Sequence, residues 1–123
     1  MCFKENKMKK VLIIDNKEGW RSAFSGVIED EGCRAIAVHN ETEGVNVLKS
    51  CDDIALILFG CNKPIKDYES FIKLINAKYP SVPLVYLGDC SPERTMAEIV
   101  TDTVTDTVIS YEKLSGFVEK YCR

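Results

Sequence analysis

Five short apolar or β-branched runs recur along the chain, and a stretch with helical spacing follows each of them. A short continuous apolar run is typical of a strand buried on both faces, and apolar residues three and four positions apart are typical of a helix packed on a sheet. Strands that alternate with helices form a parallel sheet covered by helices on both faces. The sequence therefore predicts an α/β three-layer sandwich with a five-stranded parallel sheet, whose strands are 11–14 (VLII), 33–40 (CRAIAVHN), 54–60 (IALILFG), 82–88 (VPLVYLG) and 103–109 (TVTDTVI).

Residues with capping chemistry mark the ends of the predicted helices. Gly32 lies where the first helix should end, because glycine adopts the left-handed backbone found just past many helices. Asn40 or Thr42 can cap the beginning of the second helix, and Tyr79-Pro80 ends the third. Ser91-Pro92-Glu93 predicts the start of a fourth helix, and the fifth helix carries Leu114, Phe117, Val118 and Tyr121.

The size and charge of the chain limit its classes of function. Its 123 residues suffice for one domain, which we place at residues 10–123 after a charged N-terminal tail at residues 1–9. A net charge of −3 and a pI near 5.2 give no basic surface for direct contact with nucleic acid. The apolar runs are too short to span a bilayer, and the N-terminus lacks the apolar core of a signal peptide. We therefore predict no membrane contact and a cytoplasmic location.

The six cysteines and the single histidine do not predict a metal site. No two cysteines have the CxxC or similar spacing of metal ligands, and His39 has no partner at such a spacing. The first predicted strand is followed by DNKEGW, which contains one glycine and so lacks the glycine-rich loop that binds nucleotide phosphates. We therefore predict neither a cofactor nor a metal, and we interpret most of the cysteines as small core residues.

Any site is expected at the carboxyl ends of the strands, where the loops of an open parallel sheet carry the ligand-binding residues. These ends are Asp15-Asn16, His39-Asn40, Gly60-Cys61, Gly88-Asp89 and Ser110-Tyr111. With these five ends and Pro64, residues 10–122 resemble the receiver domain of bacterial response regulators. The resemblance implies a flavodoxin-like fold with strand order 2-1-3-4-5.

The same resemblance places a receiver's phosphorylation chemistry on residues that lack it. Receivers carry an acidic pair after the first strand, a phosphorylated aspartate after the third, a hydroxyl residue after the fourth and a lysine after the fifth. These positions fall, in that order, on Asp15 with Asn16, on Gly60, on Gly88 and on Ser110, and the aromatic residue that reports phosphorylation falls on Thr107. Gly60 has no nucleophilic oxygen, Ser110 supplies no cation, and one carboxylate beside an amide would hold Mg²⁺ weakly. We therefore predict a degenerate pocket, no phosphorylation and no enzymatic activity.

Three short segments are similar to a narrower group, the N-terminal receiver-like domain of sigma-54-dependent flagellar regulators (FleQ type). These segments are LILFG at the acceptor position, VPLVYLGD in the fourth strand and SYEKL at the start of the last helix. In that group the domain precedes an ATPase domain and a DNA-binding domain, so the resemblance implies both as partners in a longer polypeptide. The wider resemblance to receivers implies a homodimer formed by the fourth helix, fifth strand and fifth helix, at residues 92–100 and 104–122. The function predicted is that of a protein-interaction module in a transcriptional regulator.

Two other functions stay open on the sequence, and a thiol switch at Cys61 and Cys90 is a minor third one. One is a phosphorelay receiver that uses an atypical acceptor, and the other is a small flavodoxin-like binding or redox protein. Cys61 and Cys90 follow strands that are neighbours in a receiver sheet, so they could come within the roughly 7 Å between Cα atoms that a disulfide needs. The sequence shows no lysine, arginine or helix N-terminus that would clearly activate either thiol, and we favour two loop cysteines without a function.

Overall fold

The computed structural model describes residues 9–60, 68–87, 102–104 and 111–122. These residues form five strands and four helices that follow one another in the predicted order. The elements are β1 (Lys10–Ile14), α1 (Glu18–Asp30), β2 (Arg34–Val38), α2 (Glu41–Ser50), β3 (Ile54–Gly60), α3 (Glu69–Lys78), β4 (Leu84–Leu87), β5 (Asp102–Val104) and the C-terminal helix α4 (Tyr111–Cys122).

The strands form one sheet in the order β2-β1-β3-β4-β5, and every neighbouring pair is parallel. Both the fold class and the strand order predicted from the sequence are therefore confirmed. Because all strands run in the same direction, their carboxyl ends lie at one edge of the sheet. The register pairs Ile14 of β1 with Phe59 of β3, so the residues that follow these two are also neighbours.

The sheet separates two hydrophobic cores, as expected for strands that are apolar on both faces. On one face, Leu12, Ile57 and Phe59 pack with Leu48 of α2 and with Phe71, Ile72 and Ile75 of α3. On the other face, the strands pack with α1 and α4 through Val11, Ile13, Leu56, Leu58, Phe24, Ile28, Leu114 and Val118. Each fully buried side chain of this size contributes about 1.5–3 kcal/mol, and these two cores hold the strand ends in fixed positions.

Two predicted helix boundaries are confirmed by their hydrogen bonds. Gly32 follows α1 with a φ of 85°, and its N–H donates to Glu29 O at 3.0 Å. The next residue, Cys33, donates to Ile28 O at 3.2 Å, which completes a Schellman motif. At α2 the N-cap is Asn40, whose side chain accepts from Glu43 N at 2.8 Å; the alternative, Thr42, lies inside the helix.

Several sequence predictions concern residues outside the described ranges. The N-terminal tail is described at Lys9 alone, and the predicted fourth helix at 92–100 lies wholly outside these ranges. The described part of the fifth strand begins at Asp102, one residue before the predicted start, and residues 105–110 lie outside. No helix in the described ranges is long and apolar enough to cross a bilayer.

Candidate functional site: the pocket at the ends of β1 and β3

Asp15 and Gly60 meet at the carboxyl edge of the sheet. Asp15 directly follows β1, and its N–H donates to Val38 O at 3.1 Å, which continues the ladder between β1 and β2. Gly60 is the last residue of β3, the strand on the other side of β1. The two buried cores fix both backbones, so the closeness of these two residues is set by the register of the sheet.

The carboxyl group of Asp15 occupies the space that a side chain at position 60 would need. A Cβ atom built on Gly60 would lie 3.0 Å from Asp15 Cγ and closer still to Oδ2, whereas real Cβ atoms almost never come nearer than 3.0 Å to another group. Asp15 is 8% exposed and is the one buried charged or polar residue in the described ranges. The side-chain position at residue 60 is thus filled by another residue of the same chain.

Two neighbouring residues hold Asp15 in this position. The Lys17 N–H donates to Asp15 Oδ1 at 2.8 Å, which forms a turn closed by the carboxylate. The Arg21 guanidinium, one turn into α1, donates from Nη1 to the carbonyl oxygen of Asp15 at 2.8 Å. The loop after β1 is therefore tied to α1 through the backbone and the side chain of the same aspartate.

Burial raises the pKa of the Asp15 carboxyl above its ordinary value of 3.8. Three effects oppose this rise without cancelling it: the hydrogen bond from the Lys17 backbone, the charge of Lys17 and the charge of Arg21. The desolvation of the carboxylate thus outweighs the groups that stabilise its charged form.

The donors that the described residues supply at this edge do not fit Mg²⁺. Magnesium ions in proteins are bound by one or two carboxylates together with substrate phosphates and waters in octahedral geometry. The described residues supply one buried carboxylate, whose Oδ1 accepts from Lys17 and whose Oδ2 lies against Gly60. Asn16, the other half of the pair predicted from the sequence, is exposed. No group of three or more histidine, cysteine or acidic residues suited to a metal occurs within the described ranges.

The remaining site residues named from the sequence fall outside the described ranges. They are Gly88, Thr107 and Ser110 of the predicted pocket and the thiol pair Cys61 and Cys90. Among the cysteines that the structure describes, Cys33 and Cys122 are buried core residues, as predicted, and Cys51 is half-buried.

The sequence prediction missed Lys17 and Arg21, which hold the aspartate. A usable signal was present, because an aspartate often accepts from the backbone N–H two residues later. Arg21 gave a weaker signal: it lies four residues after Lys17, on the helical turn that returns to the end of β1.

The fold is that of CheY-like response-regulator receiver domains. The chemotaxis protein CheY4 of Vibrio cholerae superposes with a TM-score of 0.78 at 20% identity, over 94% of this chain and 99% of that one. The response regulator TrrA of Thermotoga maritima, in complex with Mg²⁺-BeF, gives 0.77 at 18% identity over 92% and 98%. NtrX of Brucella abortus, in complex with ADP, gives 0.75 at 15% identity over 93% of this chain and 26% of that one. No protein-family model matches the sequence, and no curated protein matches it either.

Proposed function

We propose that this chain is a receiver-fold regulatory domain that is not switched by phosphorylation and is not an enzyme. The observation that carries the proposal is the contact between Asp15 and Gly60. An acyl phosphate needs a carboxylate nucleophile, and residue 60 has no side chain. The neighbouring carboxylate is itself buried and engaged by Lys17, so it is poorly placed to attack a phosphoryl donor.

The proposed role is that of a protein-interaction and dimerisation module in a sigma-54-dependent transcriptional regulator of the flagellar type. The resemblance of LILFG, VPLVYLGD and SYEKL to that group supports this role. The match to NtrX supports a place in a longer polypeptide, because the shared fold makes up 26% of that chain. In this proposal the protein acts in the cytoplasm, and downstream ATPase and DNA-binding domains complete the regulator.

Phosphorylation is tested by incubating the protein with acetyl phosphate and Mg²⁺ and measuring its intact mass. We expect no phosphoryl adduct, while a receiver with an intact acceptor is modified in a parallel sample. A titration with Mg²⁺ and beryllofluoride, followed through the fluorescence of Trp20, should show no saturable change. Trp20 is the only tryptophan and lies half-buried in the first turn of α1, where it stacks on Phe24.

An adduct at any residue would instead support the phosphorelay alternative, and tandem mass spectrometry would identify the acceptor. A purified sample that carries flavin absorbance would support the flavodoxin-like alternative. The wider assignment is tested by the gene itself, because a sigma-54-interacting ATPase sequence downstream is required by the proposal.

The proposed dimer surface includes the C-terminal helix α4, whose outer face carries the exposed Glu119 and Lys120. Its other parts, residues 92–100 and 105–110, lie outside the described ranges. A charge reversal such as Lys120→Glu is therefore the substitution on this surface that the structure supports best. We expect it to weaken any dimer formed there without unfolding the domain, since surface charges contribute little to stability.

A further inference from the structure

We propose that β2, at the edge of the sheet opposite β5, is a second association surface that pairs antiparallel with β2 of another copy of this chain. Among the five described strands, β2 pairs with β1 alone. A free strand edge is a template for pairing with another chain, and natural proteins usually protect it with charges, proline or a bulge. This edge, RAIAV, has one charge at its first residue and no proline.

Two residues of β2 direct their backbone N–H and C=O groups toward the open edge. Arg34 N donates to Lys9 O at 2.9 Å, and Val38 O accepts from Asp15 N at 3.1 Å, so both residues face β1. Because successive residues of a strand present their N–H and C=O groups to opposite sides, Ile36 also faces β1, and Ala35 and Ala37 face outward. Both residues are alanines, whose short side chains add little bulk beside the edge, and Ala37 is exposed.

A twofold axis midway between the Ile36 residues of two copies pairs the outward N–H and C=O groups of Ala35 and Ala37. In that register Ala35 lies opposite Ala37 of the second copy, and Ala37 lies opposite its Ala35. Both are hydrogen-bonded pairs, which exchange two N–H···O bonds each, whereas the two Ile36 residues form the closer pair without such bonds. Each Ile36 packs against the core on the α2 side, so the two side chains would extend that core across the axis.

Charge complementarity favours a second copy as the partner. The same register places the exposed Arg34 opposite Val38 of the second copy, at the end of its β2. The first turn of α2 begins three residues later and carries two acids, Glu41 and Glu43. The twofold axis repeats this pairing of an arginine with an acidic helix start at both ends of the contact, whereas a parallel pairing would bring like ends together.

The contact is small, with five residues from each copy. It lies below the roughly 1,200 Å² of total buried surface found in stable complexes, so we expect a weak dimer. A dissociation constant on the order of 0.1 mM is consistent with such a contact. The β5 edge stays free in this dimer, because it lies at the opposite edge of the sheet. The C-terminal helix packs beside α1 and over β3, away from the β2 edge.

The test is a concentration series of the full chain, from about 0.02 to 1 mM, which spans the expected dissociation constant. It is followed by sedimentation velocity and by NMR hydrogen exchange. We expect the amides of Ala35 and Ala37 to exchange rapidly in dilute samples and to become protected at high concentration. The amide of Ile36 should be protected throughout, because it bonds to β1. If the two alanine amides are already protected in dilute samples, the chain itself covers the edge and the proposal is wrong.

Variants separate this surface from the others. Ala37→Lys places two like charges beside the twofold axis and should weaken association at least about tenfold, because charges on an edge oppose pairing. Ala23→Lys, at another exposed alanine on α1, is the matched control and should leave association unchanged. A chain that stays monomeric up to 1 mM, or a dimer sensitive to Lys120→Glu but not to Ala37→Lys, would overturn the inference. Neither result bears on whether the domain can be phosphorylated.

Discussion

Replacing Gly60 by alanine tests the contact that defines the pocket. Gly60 does not have a positive φ, since Gly32 is the glycine with that conformation among the described residues. An alanine at residue 60 therefore meets no backbone strain, and its effect comes from the new Cβ against the Asp15 carboxyl. The aspartate must turn away and lose the hydrogen bond from Lys17, and a bond to a charged group contributes about 1.5–3 kcal/mol.

The size and the sign of the effect depend on Asp15. Replacing glycine by alanine at a compatible position restricts the unfolded chain and stabilises by about 0.4–1 kcal/mol. The two effects together give a net destabilisation of roughly 1–2 kcal/mol for Gly60→Ala. In an Asp15→Ala background the obstacle is absent, and the same substitution should stabilise by about 0.4–1 kcal/mol. The predicted result is thus a change of sign.

Urea unfolding of the four proteins in this double-mutant cycle, monitored by Trp20 fluorescence, gives the coupling energy. Gly26→Ala is the control, because Gly26 lies exposed in α1 with no atom within 4 Å of a Cβ built there. It should stabilise both backgrounds by about 1 kcal/mol. A Gly60→Ala effect that is the same with and without Asp15 would falsify the view that the carboxyl fills this space.

Three further predictions follow from the described contacts. Burial raises the pKa of Asp15 in the folded state above the ordinary value of 3.8, so ionisation of Asp15 destabilises the fold as the pH rises from 3.8 toward the raised pKa. Asp15→Asn avoids this ionisation. Its stability relative to the wild type should therefore increase through that pH range and stay constant above it. An advantage that shrinks with rising pH in urea titrations would contradict the assigned cause. Ile72→Ala, at a fully buried position of α3, should lower the free energy of unfolding by about 2–5 kcal/mol, and Leu74→Ala, at a half-buried one, by clearly less. Asn40→Ala should lower the free energy of unfolding by about 0.5–2 kcal/mol, because it removes the N-cap of α2. An equal loss for Thr42→Ala, at an exposed position inside the helix, would show that capping is not the reason.

The sequence carried enough information for the fold because its signals are local. The run at 54–60 is apolar at nearly every position, and the structure places a strand over that same range. Gly32 and Asn40 encode helix boundaries through their own backbone and side-chain chemistry, which does not depend on distant residues. Strand order is not local, and it came from the resemblance of the strand ends to a known fold.

The site was predictable in its residues but not in its geometry. The sequence showed that residue 60 lacks a side chain and that Asp15 matches the acidic pair of receivers. It predicted only that Asp15 and Asn16 would bind Mg²⁺ weakly. Whether that carboxyl faces outward or turns over Gly60 depends on the register of β1 with β3 and on the donors from Lys17 and Arg21. The register and these hydrogen bonds join residues that are far apart in the chain or on opposite sides of a turn. No local sequence pattern predicts such contacts.

The position of the Asp15 carboxyl also bears on which substitutions at residue 60 evolution can accept. Some glycine codons become aspartate codons through one base change, so Gly60→Asp can be a single mutation. That single mutation would set a second carboxylate against the first, in a space that holds one. Two like charges at such a distance repel strongly, so Gly60→Asp alone is expected to lower the stability of the domain. Asp15 must therefore turn aside or be replaced before the domain can accommodate an aspartate at residue 60.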